Sequence, residues 1–244
     1  MTNLKLAMMG VMVGMAGMSA AHAALIAPSI SSLTADYYVL SPNNPDVNNG
    51  VDGYAVTGLV QSRLGPDGLP VATGMVAPGS GTIADVNKAG ELLWWTPSAY
   101  TTALSLNQNA TLPYDQVLFP NGVNDGSNGY ESAHLFGSFV APSNGSLTLN
   151  LGSDDDGFVF VDGVLAVDNG GVHADVVAPT TVTSLAGGTH RIDVFFADRH
   201  VTQSRLTFNA DATFTPVGVP EPATMAVLAS GLFGLGLVRR KQRG

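Results

Sequence analysis

The 244-residue chain contains no cysteine. This excludes disulfide staples, thiolate zinc sites and thiol nucleophiles, so an exported domain built from it must be held by its apolar core or by a metal. Charge of any kind is sparse, at 12% of residues, and basic charge is the scarcer sign. Of ten Lys and Arg residues, Lys5, Arg239, Arg240, Lys241 and Arg243 lie in the terminal segments, as does one of the nineteen acids, Glu221. The body between them sets five basic residues against eighteen acidic ones, a net charge of −13. Such a body disfavours nucleic acid and anionic lipid as partners, since both are polyanions, and suits divalent cations or neutral sugars. Between the two ends there is no long helical pattern. Catalytic signatures are missing as well: no G-x-S-x-G, no H-E-x-x-H, no phosphate loop. Paired carboxylates can serve a glycosidase, but they must face each other across a sugar. The conspicuous acids here, Asp154, Asp155 and Asp156, are consecutive. The sequence therefore reads as non-enzymatic.

What is present begins with two targeting segments. Residues 1–23 combine a single positive charge at Lys5, an apolar run from Leu6 to about Met18, and the small-residue site Ala21-His22-Ala23. This is the make-up of a secretory signal peptide cleaved after Ala23. Residues 219–244 begin Val219-Pro220-Glu221-Pro222, continue through an uncharged run from Ala223 to Val238, and end in the arginine-rich stretch. As a helix, that run spans about 24 Å at ~1.5 Å per residue, a marginal transmembrane helix against a hydrocarbon core of roughly 30 Å. The basic end would stay cytoplasmic.

Residues 24–217 read as one all-β domain. Turn-forming clusters recur at short intervals, among them Asn48-Asn49-Gly50, Gly65-Pro66-Asp67-Gly68, Asn144-Gly145, Asp162-Gly163 and Gly187-Gly188. Between them apolar residues alternate with polar ones: Leu147, Leu149 and Leu151; Ile192, Val194 and Phe196; Leu206 and Phe208. Period two means one buried and one wet face. Phe158-Val159-Phe160-Val161 is apolar on both faces and predicts a central strand. Short strands with turns every 8–12 residues point to a sandwich or barrel. Residues 41–130 are less regular and read as long loops, with one strand expected around Gly90–Pro97. In that strand Trp94 and Trp95 would face opposite sides, one in the core and the other either packed under a loop or serving as a sugar-stacking platform.

Two resemblances follow from these residues. The tail, with Pro220, Glu221 and Pro222 ahead of the apolar run and the arginines, resembles the PEP-CTERM sorting signal. That likeness implies an exosortase as partner in a Gram-negative bacterium, transient anchoring in the inner membrane, removal of the tail, and delivery to the cell surface or the extracellular matrix of a biofilm. In the body, "ADYYVL" at 35–40, "GSDDDGFVFVDG" at 152–163, "DNGGVH" at 168–173 and "FFADRH" at 195–200 resemble the fibro-slime domain, a relative of the PA14 module. The implied fold is a PA14-like β-sandwich or barrel, flanked here by an N-terminal signal helix and a C-terminal transmembrane helix. Some PA14 relatives bind sugar through calcium held by two neighbouring aspartates, and Asp154, Asp155 and Asp156 fall at the corresponding position. Extracellular polysaccharide is the partner this implies. A purely structural matrix component and a glycan hydrolase are the alternatives.

Three readings of the acidic cluster remain open from the residues themselves. Aspartates on one loop supply the hard anionic oxygens that calcium takes. Equally, Arg199 could pair with one of them while His173 and His200 donate hydrogen bonds to others, since buried carboxylates need such partners. The third reading is a solvated acidic loop.

Overall fold

The computed structural model describes residues 31–48, 56–77, 81–120 and 128–217. The signal peptide, the Pro220–Pro222 motif and the expected terminal helices lie outside these residues. The described residues form thirteen strands and a single 3₁₀ turn. In chain order the strands are β1 (Ser32–Leu40), β2 (Val76–Ala77), β3 (Gly81–Thr82), β4 (Thr101–Thr111), β5 (Tyr114–Val117), β6 (Tyr130–Ala141), β7 (Gly145–Asp154), β8 (Asp156–Val161), β9 (Val164–Asn169), β10 (Val176–Leu185), β11 (Gly188–Ala197), β12 (Arg205–Ala210) and β13 (Phe214–Pro216). The fold is the all-β sandwich that the alternating pattern implies.

Seven strands make the larger sheet, in the order β4-β1-β6-β11-β8-β9, with β13 pairing β6 alongside β1. Four make the smaller sheet, in the order β10-β7-β12-β5. The alternating leucines of β7, Leu147, Leu149 and Leu151, pack between the sheets against Val159, Val161, Ile192, Val194, Phe196, Leu206 and Phe208. Asp162 and Gly163 both take positive φ, 50° and 72°, and close the two-residue β8–β9 hairpin with a turn that favours Asp-Gly.

A second core lies on the outer face of the larger sheet. Tyr38, Leu40, Phe158, Phe160 and Phe195 pack there against Val47, Leu59, Leu69, Leu92, Trp94 and Trp95 from the loop-rich N-terminal half. This second layer explains why Phe158–Val161 is apolar on both faces: each face meets its own core, and every residue of β8 is buried.

The same half departs from the sequence reading at two places. The polar stretch Thr101–Thr111 is a full eleven-residue strand rather than a loop. It sits at the sheet edge, and most of its side chains are half-buried or exposed, so the apolar alternation that marks a half-buried strand is weak. The strand expected across Gly90–Pro97 is instead a 3₁₀ turn at Leu93–Trp95. Both tryptophans face inward from it, at 0% and 2% exposure, with ring centroids 5.3 Å apart. Neither offers a free face for stacking a sugar, which corrects the platform reading of Trp94 and Trp95.

The chain enters and leaves this body side by side. Ser31 Oγ accepts the Phe214 N–H at 3.0 Å, and Thr34 Oγ1 donates to the Val217 carbonyl at 3.1 Å.

Candidate functional site at the sheet crossing

Asp154 ends β7 in the smaller sheet and Asp156 begins β8 in the larger one, so at Asp155 the chain steps from one sheet to the other. The Asp154–Asp155 peptide is cis. Gly157 follows because the step is tight: a Cβ there would lie 2.6 Å from Ser153 Oγ and 3.0 Å from Leu151 Cδ2.

The three aspartates are 3%, 2% and 0% exposed, so the cluster is no solvated loop. Burying carboxylates costs several kcal/mol each unless they are paired and hydrogen-bonded, and two of the three are fully supplied. Asp156 Oδ2 accepts from Arg199 Nε at 2.6 Å, and its Oδ1 accepts from the Gly171 N–H at 2.7 Å. Asp155 Oδ1 and Oδ2 accept the backbone N–H groups of His173 at 3.0 Å and Arg199 at 2.9 Å. The turn "DNGGVH" is thus used through its backbone.

Arg199 is itself 1% exposed. Burial pulls its pKa down, but the Asp156 carboxylate outweighs this and the net direction is up. Its guanidinium carbon lies 5.1 Å from the centre of the Trp94 ring, and Nη1 donates to the Asp46 carbonyl at 3.3 Å. Asp46 in turn takes the Trp94 indole N–H at 2.9 Å and the Ala84 and Asp85 N–H groups at 2.7 and 2.9 Å. The Asp–Arg pair is therefore also a clamp on the loop-rich half.

The histidines act otherwise than their side-chain chemistry suggests. The ring nitrogens of His173 face the carbonyls of Ala174 at 2.8 Å and Asn169 at 3.2 Å, not a carboxylate. His200 contributes its backbone N–H to Asp198 at 3.1 Å. This corrects the expectation that both imidazoles donate to the acidic cluster.

Asp154 is the member left over. Burial, then the neighbouring Asp155 carboxylate, pushes its pKa up to about 7, while His173 and the Asp175 N–H oppose the rise. Its side chain borders a cleft of about 640 Å³ lined also by Val117, Phe119, Asp175, Thr202, Gln203, Ser204 and Arg205. Arg205 spans this cleft, with a bidentate bond to Asp115 at 2.9 and 2.8 Å and a looser contact to Asp175 at 3.4 Å. Asp175 and the segment 202–205 escape a sequence reading. They flank the motifs "DNGGVH" and "ADRH" without belonging to them, and only the pairing of Arg205 with Asp154 across β12 and β7 brings them to the acids.

The donor set around Asp154 is all oxygen on the anionic side, with Asp155 and Asp175 as neighbouring carboxylates and Thr202, Gln203 and Ser204 as neutral oxygens. This chemistry fits a hard cation such as calcium. Among the described residues, however, no three His, Cys, Asp or Glu side chains already stand together as a metal cage. A calcium ion held by Asp154 and Asp155 would draw its remaining oxygens from backbone, water or a bound hydroxyl.

Residues 121–214 match the PA14 domain model, and residues 218–241 match the PEP-CTERM protein-sorting motif. That motif marks a secreted or cell-surface protein of a Gram-negative bacterium. Among curated proteins the chain is similar to Protein psiD of Dictyostelium discoideum, 29% identical over 77% of this chain and 42% of the relative. It is also similar to Protein psiQ of the same organism, 27% identical over 81% of this chain and 22% of the relative. The chain spans less than half the length of either relative. Two solved structures align loosely. One is a PA14 sugar-binding domain from an RTX adhesin, at 13% identity, 76% of this chain, 94% of that chain and TM-score 0.37. The other is the Epithelial Adhesin 6 A domain from Candida glabrata in complex with Galb1-3GlcNAc, at 12% identity, 78% of this chain, 89% of that chain and TM-score 0.36.

Proposed function

We propose that this chain is an exported surface or matrix protein that binds extracellular polysaccharide without cleaving it, with calcium assisting at Asp154 and Asp155. One observation carries the reading. Of three buried aspartates, two are held by Arg199 and backbone N–H groups, while the third borders an open cleft and keeps a raised pKa despite the Asp175 N–H and His173. A hard cation would relieve Asp154, and sugar hydroxyls are natural ligands for the coordination positions the protein leaves free. Thr202 and Gln203 offer hydrogen bonds to such hydroxyls, and the exposed Val117 and Val201 offer apolar contact. Catalysis is not part of the reading: Asp155 and Asp156 are held by fixed donors and do not line the cleft, so they do not oppose Asp154 across a substrate.

The sorting tail supports an activity outside the cell. Exosortase recognition of Pro220–Pro222, transient anchoring by the apolar segment and release into a biofilm matrix complete the proposal. The decisive experiment is a glycan array probed with the full-length protein in calcium and in EDTA. Selective signal in calcium, lost in EDTA and lost in Asp154→Asn, supports it. The absence of any selective signal would favour a purely structural matrix component. Shortening of the glycan would favour a hydrolase.

A further inference from the structure

A second cavity, of about 580 Å³, has no part in the reading above. It opens between β1 and β4 of the larger sheet and β5 of the smaller one, lined by Tyr37, Asn109, Tyr114, Gln116 and Glu131 among others. Glu131 is 6% exposed. Burial pushes its pKa up to about 7, and among the described residues no hydrogen bond or ion pair to its carboxyl opposes the rise.

This distinguishes Glu131 from four other buried acids, each of which meets a side-chain donor. Asp46 receives the Trp94 indole N–H, Glu91 the Asn87 amide at 2.6 Å, Asp156 the Arg199 guanidinium, and Asp193 the Arg191 guanidinium at 2.6 Å. Buried polar groups are nearly always satisfied, and one that is not calls for an explanation. Beside Glu131, the Tyr37 and Tyr114 hydroxyls share one hydrogen bond of 2.9 Å. One phenol donates to the other, so the pair keeps one free proton and spare lone pairs.

The lining residues decide the chemistry of an occupant. They include no Lys, Arg or His, which rules against phosphate, sulfate or uronate. A neutral hydroxyl could bond to the carboxyl but could not compensate its charge. An ammonium group does both, through a charge-assisted hydrogen bond, and it gains from nearby tyrosine rings. The acidic body, at five basic residues against eighteen acids, concentrates cations at its surface. Calcium suits this cavity poorly, since only one carboxylate lines it. The amides of Asn109 and Gln116 and the phenols suit the hydroxyls of a sugar carrying that amine.

We propose that this cavity binds a primary ammonium group on a hydroxyl-rich scaffold, the free amine of a deacetylated amino sugar, with Glu131 as its anionic partner. This goes beyond the calcium-assisted site, uses none of its residues, and can fail without it.

The test is calorimetric titration of the full-length protein with a glucosamine tetramer and, separately, its N-acetylated counterpart, both in EDTA. The amine form is expected to bind at least tenfold more tightly. Glu131→Gln should abolish that preference while changing the net charge by one unit only, so non-specific attraction of a polycation to the acidic surface would survive it. Gln116 is exposed at the cavity mouth, and Gln116→Lys, which leaves the core untouched, should abolish the preference as well. Asp154→Asn should retain it. Equal binding of the two tetramers, no binding of either, or a preference that persists in Gln116→Lys would overturn the proposal.

Discussion

Arg199 Nε and Asp156 Oδ2 lie 2.6 Å apart, with both side chains at no more than 1% exposure. They stand 43 positions apart in sequence, and they join the segment just after β11 to the start of β8 at the point where the chain changes sheets. An ion pair this deep contributes little net stability over an apolar pair, yet breaking it is costly because the surviving charge stays buried. Arg199→Ala is therefore expected to destabilise the protein by roughly 3–5 kcal/mol. Urea melts would check this, and a loss below about 1 kcal/mol would mean that water reaches Asp156 in the variant.

The tryptophans should behave as core. Trp95 donates its indole N–H to the Phe196 carbonyl at 2.7 Å and packs with its centroid 4.9 Å from that of Phe195. Trp94→Ala and Trp95→Ala are each expected to cost roughly 3–5 kcal/mol. A variant that keeps its melting midpoint but loses glycan binding would restore the platform role.

Calcium should stabilise the folded body modestly. For an extracellular site with Kd around 10⁻⁴–10⁻³ M, millimolar calcium adds about 1 kcal/mol and raises the melting temperature by a few degrees. EDTA should reverse the gain, and Asp154→Asn should remove the response. A response that persists in Asp154→Asn would put the ion elsewhere.

Stability should fall as pH rises from about 4 towards 7. Glu131 and Asp154 have folded pKa values near 7, raised chiefly by burial, whereas the unfolded carboxyls titrate near 4. Across that window the folded state holds protons that the unfolded chain has lost, so the slope of unfolding free energy with pH is negative. The stability from the two carboxyls is fully present below pH ~4 and is lost as pH passes their folded values. His190 adds to the trend at higher pH, because its hydrogen bond to Asp162 at 2.6 Å raises its pKa. Asp193 runs the other way: burial raises its pKa, but His134 and Arg191 outweigh this and lower it. Its contribution is present above pH ~4 and is lost in stronger acid. Urea midpoints from pH 5 to 8 test the sign, and Glu131→Gln should flatten the curve.

Mature protein recovered from the cell surface should lack residues 1–23 and end near Pro220–Pro222. Mass spectrometry decides this; a C-terminal Gly244 on extracellular protein would refute exosortase processing.

Strands β7, β8, β11 and β12 were legible because each carries its own signal, either alternation or a doubly apolar run. The edge strand β4 carries none, since "TTALSLNQNAT" packs few apolar side chains inward. The inward turn of both tryptophans was hidden for another reason. Whether a Trp-Trp pair lies on a strand or in a turn depends on what covers it, and the cover comes from Val47, Leu59, Val60, Leu69 and the outer face of β8 and β11. At the acidic triplet, the buried role of Arg199 could be guessed from charge scarcity. Asp46, more than 150 residues from Arg199, could not. Nor does any motif announce Glu131, whose distinction is the donors it lacks.

The bond between Thr34 and the Val217 carbonyl brings the two ends of the body together on one edge. A body wired this way behaves like a bead on a loop of string. It can be spliced into a longer polypeptide, as domains with adjacent termini tolerate, without its host segments having to span it. Held by the tail alone, it would take tension first at β13, three residues paired with β6, and the load would reach the core between the sheets directly through Phe214.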